Sequence, residues 1–401
     1  MPDANLRLLA LTTSWPNAPD AVPGRFVGQW AEAMRDSGMD CTILSPPGHW
    51  CPKGIRRMTY HDPVGLLNGY GVPDAASHRP VRTLLAAAPT CASMALRAWQ
   101  VGHRFDLLVA HWILPSGVTA LAAGRRGCTA VHGYAHGGDI ALLEAMPIAL
   151  ARPIATKIHR TMAGITFVSA HLARRFETIM DEPLGPHITV CPMGSELAPP
   201  DMDYGASLKA RAGRRKIVAT VGRLTAIKGL DQLVHALANR DDILWYAAGA
   251  GPQRHVLIEA AQQLNVSVEF LGSLPPSRVA ALLGEAHVFV QPSRALGHRS
   301  EGTPVSALEA LLSGVPSVFS ATGGLTELAT SSGASTFQSG DAGHLIHQID
   351  AILNDSSTQR KMAEKHRQFA RAYTWSVVGP KHIQIINDSV ARFNCTVGIH
   401  A

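Results

Sequence analysis

The chain of 401 residues and 42.7 kDa exceeds what one hydrophobic core usually serves, so two domains of roughly 200 residues each are expected. With 46% hydrophobic and only 16% charged residues it can bury both cores. Its formal charge of +6 divides evenly, +3 in residues 1–200 and +3 in 201–401, with no run or stripe of cations; this argues against nucleic acid and fits small phosphorylated ligands or an anionic membrane surface.

The first apolar run, LRLLALT, has neither a basic start nor a small-residue cleavage site, so no leader is expected. Nothing approaches the roughly 20 apolar residues of a membrane span. Six cysteines lie far apart without a C-x-x-C, which indicates neither a zinc knuckle nor a disulfide framework and suits a reducing compartment. The expected setting is cytoplasmic, with a peripheral contact at the inner face of a membrane left open. Short β-rich runs recur at 6–12, 41–44, 106–110, 128–131, 164–168 and 188–191. Between several of them lie helical patterns: Phe26, Val27, Trp30 and Met34 recur at the spacing of one helix face. The apolar stretch 84–99, bracketed by Arg79, Arg82, Arg97 and Arg104, reads as a buried helix with snorkelling arginines or as a segment resting on an anionic membrane.

The stretch SELAPPDMDYGAS (195–207) is poor in periodicity and reads as a linker. The rhythm then repeats, with strands at 217–221, 243–248, 266–271, 288–291 and 316–320 and helices between them; after Ala342 the chain is helical to about Phe393, broken at Tyr373–Trp375. Alternating strands and helices imply parallel sheets covered on both faces. The fold class is therefore α/β, with two doubly wound domains: 1–195, a linker 196–210, 211–375, and a C-terminal helix 376–401 returning to the first domain. Ligands of such sheets bind where strands hand over to helices, and a central cleft between the two domains is expected.

Two features of the second half carry chemistry. In KIVATVGRLTAIKGL a β-branched strand ends at Val221, Gly222 permits a tight turn, and Arg223 and Lys228 flank the loop before a helix. Two cations there form an anion site, the alternative being a solvated basic loop. In EGTPVSALEALLSGVP, Thr303 suits an N-cap, Pro304 the first helical position, and Gly314 with Pro316 the end. Val305, Leu308, Leu311 and Leu312 would form the core face, with Glu309 on the other face beside Ser306 and Ser313, and Glu301 just before the helix start. A nucleotide sugar satisfies this pattern: Glu309 would accept from ribose hydroxyls, Glu301 from sugar hydroxyls, and the amides near Gly302 and Thr303 would meet the diphosphate. The bland reading is an acid complementing the helix dipole and an exposed mid-helix acid.

VGRLTAIKGL, AAGAGP, FLGSLP, VFVQPS and EGTPVSALEALLSGVPSVFSATGGLTEL, in order over 216–330, resemble the donor half of the family 4 retaining glycosyltransferases of GT-B fold, including their two glutamates with seven residues between them. TTSWPNAPDAVPGRFV, DLLVAHWILPSG, HGGDI and PMGSE are similar, more loosely, to that family's first half. The resemblance implies two Rossmann-like domains and donor contacts from Gly24, Arg223, Lys228, Gly249, Gly251, Gly302, Thr303, Pro304 and Glu309. It implies catalytic roles for His136, Glu301, Arg223 and Lys228, with His136 near the anomeric centre. On the acceptor side it implies His111 as a contact and Asp139 as a residue that fixes the local loop. Two departures bear on the donor: Pro23-Gly24-Arg25 stands where many relatives have paired glycines, and SRALGHRS, carrying His298 and Arg299, is longer than usual.

The implied reaction moves a sugar from a UDP- or GDP-type donor to a hydroxyl of a glycan or lipid-linked sugar, with the anomeric configuration retained. Cations and the helix start would stabilise the leaving diphosphate. No cofactor and no metal are expected, since the single Asp-x-Asp, 201–203, lies in the linker stretch. Three rivals remain. An epimerase or hydrolase of the same fold would act on donor alone, and a sugar-nucleotide-binding module would not turn over. A dinucleotide-dependent oxidoreductase would use GAGPQR, but Arg254 holds the third glycine position and Glu269 lies inside a strand.

Overall fold

The computed structural model describes residues 6–397 apart from 17, 19–20, 22–23, 49, 63–79, 128 and 298–299. Pro23, Arg79, Cys128, His298 and Arg299 lie outside the described residues, and of Arg82 only the helical backbone is described. The chain divides into two units, Met1–Gly194 with Trp375–Ala401, and Ser195–Thr374.

In the first unit seven strands, all parallel, run in the order β3-β2-β1-β4-β5-β6-β7: β1 (Arg7–Leu11), β2 (Asp40–Ser45), β3 (Arg56–Thr59), β4 (Leu107–His111), β5 (Ala130–Ala135), β6 (Gly164–Phe167) and β7 (Ile188–Val190). The chain winds outward from β1 to β3, then returns to lay β4 on the other side of β1. The loops after β1 and β4 thus flank the point where winding reverses, the place where open parallel sheets bind ligands. Both faces are covered, which is why the strands read as near-continuous apolar runs. The last helix, Trp375–Val397, packs into this same core, where Trp375, Val378 and Ile386 join Leu8 and Tyr134.

The second unit has six parallel strands in the order β10-β9-β8-β11-β12-β13: β8 (Lys216–Val221), β9 (Ile243–Ala248), β10 (Val268–Gly272), β11 (Val288–Gln291), β12 (Ser317–Ser320) and β13 (Ser335–Phe337). Its reversal point lies between β8 and β11. Successive β8 side chains enter opposite cores, Ile217 and Ala219 on one face and Val218 on the other, as a period of two requires. Both units are doubly wound α/β domains.

The expected linker needs correction. Within 195–207 a helix begins, Met202–Ala212, capped by Asp201, whose carboxylate accepts from the Tyr204 amide at 3.0 Å. Its buried residues, Gly205, Leu208 and Ala212, carry a helical spacing that starts inside the stretch and runs past its end. The edge strands β3 and β13 have no counterpart among the expected elements.

Candidate functional site

The second unit gathers the cations and acids. Beyond β8, Gly222 has φ 149° and the stem of Lys228 lies over it, so that an added Cβ would meet Lys228 Cε at 3.4 Å. A single 3-10 turn, Ala226–Lys228, and Gly229 at φ 60° lead into the helix Leu230–Ala236. Arg223 and Lys228 line one small cavity with Thr220, Gln291 and Pro292, at the reversal point between β8 and β11. The Lys228 ammonium lies 3.0 Å from a Glu301 carboxylate oxygen, both side chains only about 15% exposed. At that burial the pair interacts more strongly than a surface ion pair, and a phosphate entering here competes with Glu301 for the same ammonium.

Backbone contacts lock the loop that carries Glu301. Its carbonyl accepts from the Gly324 amide at 2.9 Å, and a Cβ on Gly324 would lie 2.1 Å from the Gly302 carbonyl oxygen. The following helix is Val305–Ser313, with Pro304 and not Thr303 at its N-cap and no side-chain cap. Pro304, at ψ 130°, is still extended, so the first helical turn begins one residue after the expected position. The expected faces also need correction: the buried run is Ala307 to Leu311 and includes Glu309, 7% exposed. Alanines at 307 and 310 let neighbours close over both sides of the helix, so Glu309 is not a wet mid-helix acid. Ser306 turns to Gln291, its hydroxyl donating to the amide oxygen at 3.3 Å.

Gly249 and Gly251 have a structural reason besides any ligand. The loops after β8 and β9 abut, with Leu224 N–H donating to Ala250 O at 3.0 Å and Gln253 N–H to Leu224 O at 2.9 Å. A Cβ on Gly249, at φ 138°, would sit 1.8 Å from the Gly222 carbonyl oxygen; one on Gly251 would sit 2.4 Å from that of Leu224. Gly249→Ala is therefore expected to lower the melting temperature of the second unit by about 10 °C or more. Gly284→Ala, in a helix with open space around the site, should leave it unchanged or slightly raised. Coincident melts for Gly249→Ala and the unaltered protein would refute this.

The first unit gathers histidines. Gly24, at φ 71°, precedes the helix Arg25–Asp36, and a Cβ there would meet the Trp15 backbone at 2.7 Å. Asp139, fully buried, ties two loops together: it accepts from the amides of Gly137 at 2.9 Å, Ile140 at 3.1 Å and His136 at 3.2 Å, and from that of Ile113, in the loop after β4, at 2.9 Å. Burial pushes its carboxyl up to about 6, opposed by the N–H groups of Ile113, Gly137, Ile140 and its own backbone. His136 follows β5 and is half-buried, with Phe26 and Trp112 at ring distances of 4.8 and 5.1 Å. Desolvation, with the nearby His382, pushes its imidazole down to about 3.

His111 departs from expectation. It is fully buried among Trp30, Tyr134 and His136, so it is not placed as an acceptor contact; its Nδ1 lies 3.1 Å from His136 Nε2. The residues that surround this pair were not singled out for the site. Phe26 and Trp30 were legible only as a helix face, and His382, which reaches Tyr134 from the final helix, carried no local signal. Among the described residues no group of three or more His, Cys, Asp or Glu side chains could hold a metal ion, and no helix is long and apolar enough to cross a membrane.

Comparison with known proteins agrees with this arrangement in both units. A family model described as Glycosyl transferase 4-like domain matches residues 23–194, and one described as Glycosyl transferases group 1 matches 208–369, which defines a two-domain glycosyltransferase. The chain is 23% identical over 319 residues to the GDP-mannose-dependent monoacylated alpha-(1-6)-phosphatidylinositol monomannoside mannosyltransferase of Corynebacterium glutamicum, covering 76% of this chain and 82% of that protein. It is 25% identical over 437 residues to the 2-deoxystreptamine N-acetyl-D-glucosaminyltransferase of Streptomyces fradiae, covering 98% and 97%. Among solved structures, sucrose-phosphate synthase from Thermosynechococcus elongatus superposes with a TM-score of 0.76 at 19% identity, covering 96% of this chain and 99% of that one. Anabaena HepE in complex with UDP and glucose gives 0.74 at 16%, covering 95% and 99%. The chain belongs to the family 4 glycosyltransferases of GT-B fold and is a hexosyltransferase.

Proposed function

We propose that the protein moves a hexosyl group from a nucleoside diphosphate to a hydroxyl of a glycan or lipid-linked sugar, with retained anomeric configuration and without a metal. The observation that carries this reading is the Lys228–Glu301 pair at 3.0 Å, beside Arg223, at the reversal point of the second sheet. In the reaction the bond from the anomeric carbon to the diphosphate breaks, a bond to the acceptor oxygen forms on the same face, and the acceptor's proton passes to the departing phosphate. Arg223 and Lys228 stabilise the charge that grows on that phosphate. Glu301 accepts from sugar hydroxyls, and the buried Glu309 accepts from the ribose. A neutral His136 offers a hydrogen bond at the sugar.

Relatives whose names specify GDP-mannose, that of Corynebacterium glutamicum among them, make it the first donor to test, beside UDP-, ADP- and TDP-sugars. Leu96 and Trp99, exposed with Arg97 between them, suit contact with a membrane that carries the acceptor. The expected result is a rise in melting temperature with one donor class. Transfer to an acceptor should be unchanged by EDTA and give a product with the donor's anomeric configuration. Sugar released or epimerised from donor alone, with no acceptor product, would instead support the hydrolase or epimerase reading.

A further inference from the structure

We propose that His111 is a positioning residue that fixes His136 in its Nδ1–H tautomer, so that His136 presents a hydrogen-bond donor, not an acceptor, at the nitrogen facing away from the pair. The significance for transfer rests on the reading above, in which His136 meets the sugar; the tautomer itself does not.

Both imidazoles are neutral near pH 7, because burial holds His136 at about 3 and His111 well below the usual range. Their 3.1 Å contact is then one N–H donating to one lone pair. Two arrangements satisfy it. If His136 donates from Nε2, the proton of His111 must sit on its own Nε2, which is buried and has no hydrogen-bond partner. If His111 donates from Nδ1, that nitrogen is a bare lone pair and His136 carries its proton on Nδ1. A buried N–H with no acceptor is the rarer defect in folded proteins, so the second arrangement is favoured.

The surrounding network leaves no acceptor for a proton on His111 Nε2. His382 Nε2 lies 3.0 Å from the Pro192 carbonyl, which can only accept, so His382 carries its proton there and its Nδ1 accepts. The Tyr134 hydroxyl, 3.0 Å from that Nδ1, is therefore the donor to it. Trp30 Nε1, which can only donate, gives its proton to the Tyr134 oxygen at 3.3 Å. The rings of Trp30 and Tyr134, held in this way, pack on His111 at 4.8 and 5.1 Å. His136 Nδ1, by contrast, has no partner among the described residues and is not among the buried unpaired atoms, which leaves it open to a ligand oxygen.

The test is a long-range proton–nitrogen correlation spectrum of the full-length protein labelled at histidine nitrogens, with the His136 signals assigned by their loss in His136→Gln. A protonated Nδ1 and a bare Nε2 on His136 are expected. The opposite pattern, or a mixture of tautomers, would overturn the proposal even if no His111 variant folds. In His111→Phe the Nε2–H form should appear and kcat should fall about tenfold or more with the donor KM little changed. His111→Asn, whose side-chain amide can donate from nearly the same place, should restore both. A His111→Phe protein that folds and keeps the Nδ1–H pattern would also overturn it. A shifted tautomer with unaltered kcat would support the tautomer assignment and remove His136 from the proposed transfer.

Discussion

Arg223→Ala is expected to lower kcat for sugar transfer by about 10²-fold or more, while the melting profile stays that of the unaltered protein. Arg223 stands in a loop beyond β8, partly exposed, so its removal leaves no hole in either core of the second unit. Its guanidinium fork can hold two phosphate oxygens at once, which the Lys228 ammonium, shared with Glu301, cannot do. The lost stabilisation falls on the leaving diphosphate as its bond to the sugar breaks, so the effect should appear in kcat more than in donor KM. Steady-state transfer assays decide the matter. A kcat within a few-fold of the unaltered protein would remove Arg223 from the reaction.

The second large effect is a loss of stability in mild acid, seated in the first unit. His111, His132 and His382 are fully buried, and desolvation holds them well below the usual range, His132 at about 3 and His382 at about 4. Their folded pKa values are depressed, so above the unfolded value near 6.5 both states are neutral and the stability is intact. As pH falls below it the unfolded chain binds protons that the folded unit refuses, and each such histidine removes about 1.4 kcal/mol per pH unit. Asp139 works the other way between its unfolded value and about 6, because burial raises its carboxyl. The histidines outnumber this one carboxyl, so the balance is a loss of stability as pH falls from roughly 6 to 4, and His136 adds to it. Six of the seven tryptophans lie in the first unit, so denaturant titrations followed by tryptophan fluorescence report it selectively. A midpoint that does not move between pH 6.5 and 4.5 would contradict the prediction.

The two doubly wound domains were legible because central parallel strands, covered on both faces, leave continuous apolar runs such as ILWYAA in β9. Two of the edge strands were not: RRMT in β3 and STF in β13 are short, and β3 is polar as well. The anion loop could be read from Gly222, Arg223 and Lys228, since a glycine turn and two cations lie within one strand-to-helix connection. That Lys228 pairs with Glu301 could not, because the partners come from loops after different strands and only the strand order brings them together. The burial of Glu309 was hidden by a similar cause. Its neighbours are alanines, which a periodicity reading counts as indifferent but which permit close packing on both sides. The role of His111 as an acceptor contact came from the family resemblance, and only the folded unit shows Trp30 and Tyr134 closing over it.

The helix Trp375–Val397 has a consequence for biosynthesis. It supplies His382 to Tyr134, Ser389 to His132 and Ile386 to the first core, yet it leaves the ribosome only after Ser195–Thr374, a continuous unit, has emerged. The half translated first is therefore finished last, its nascent sheet waiting unlatched while the later half is already free to assemble.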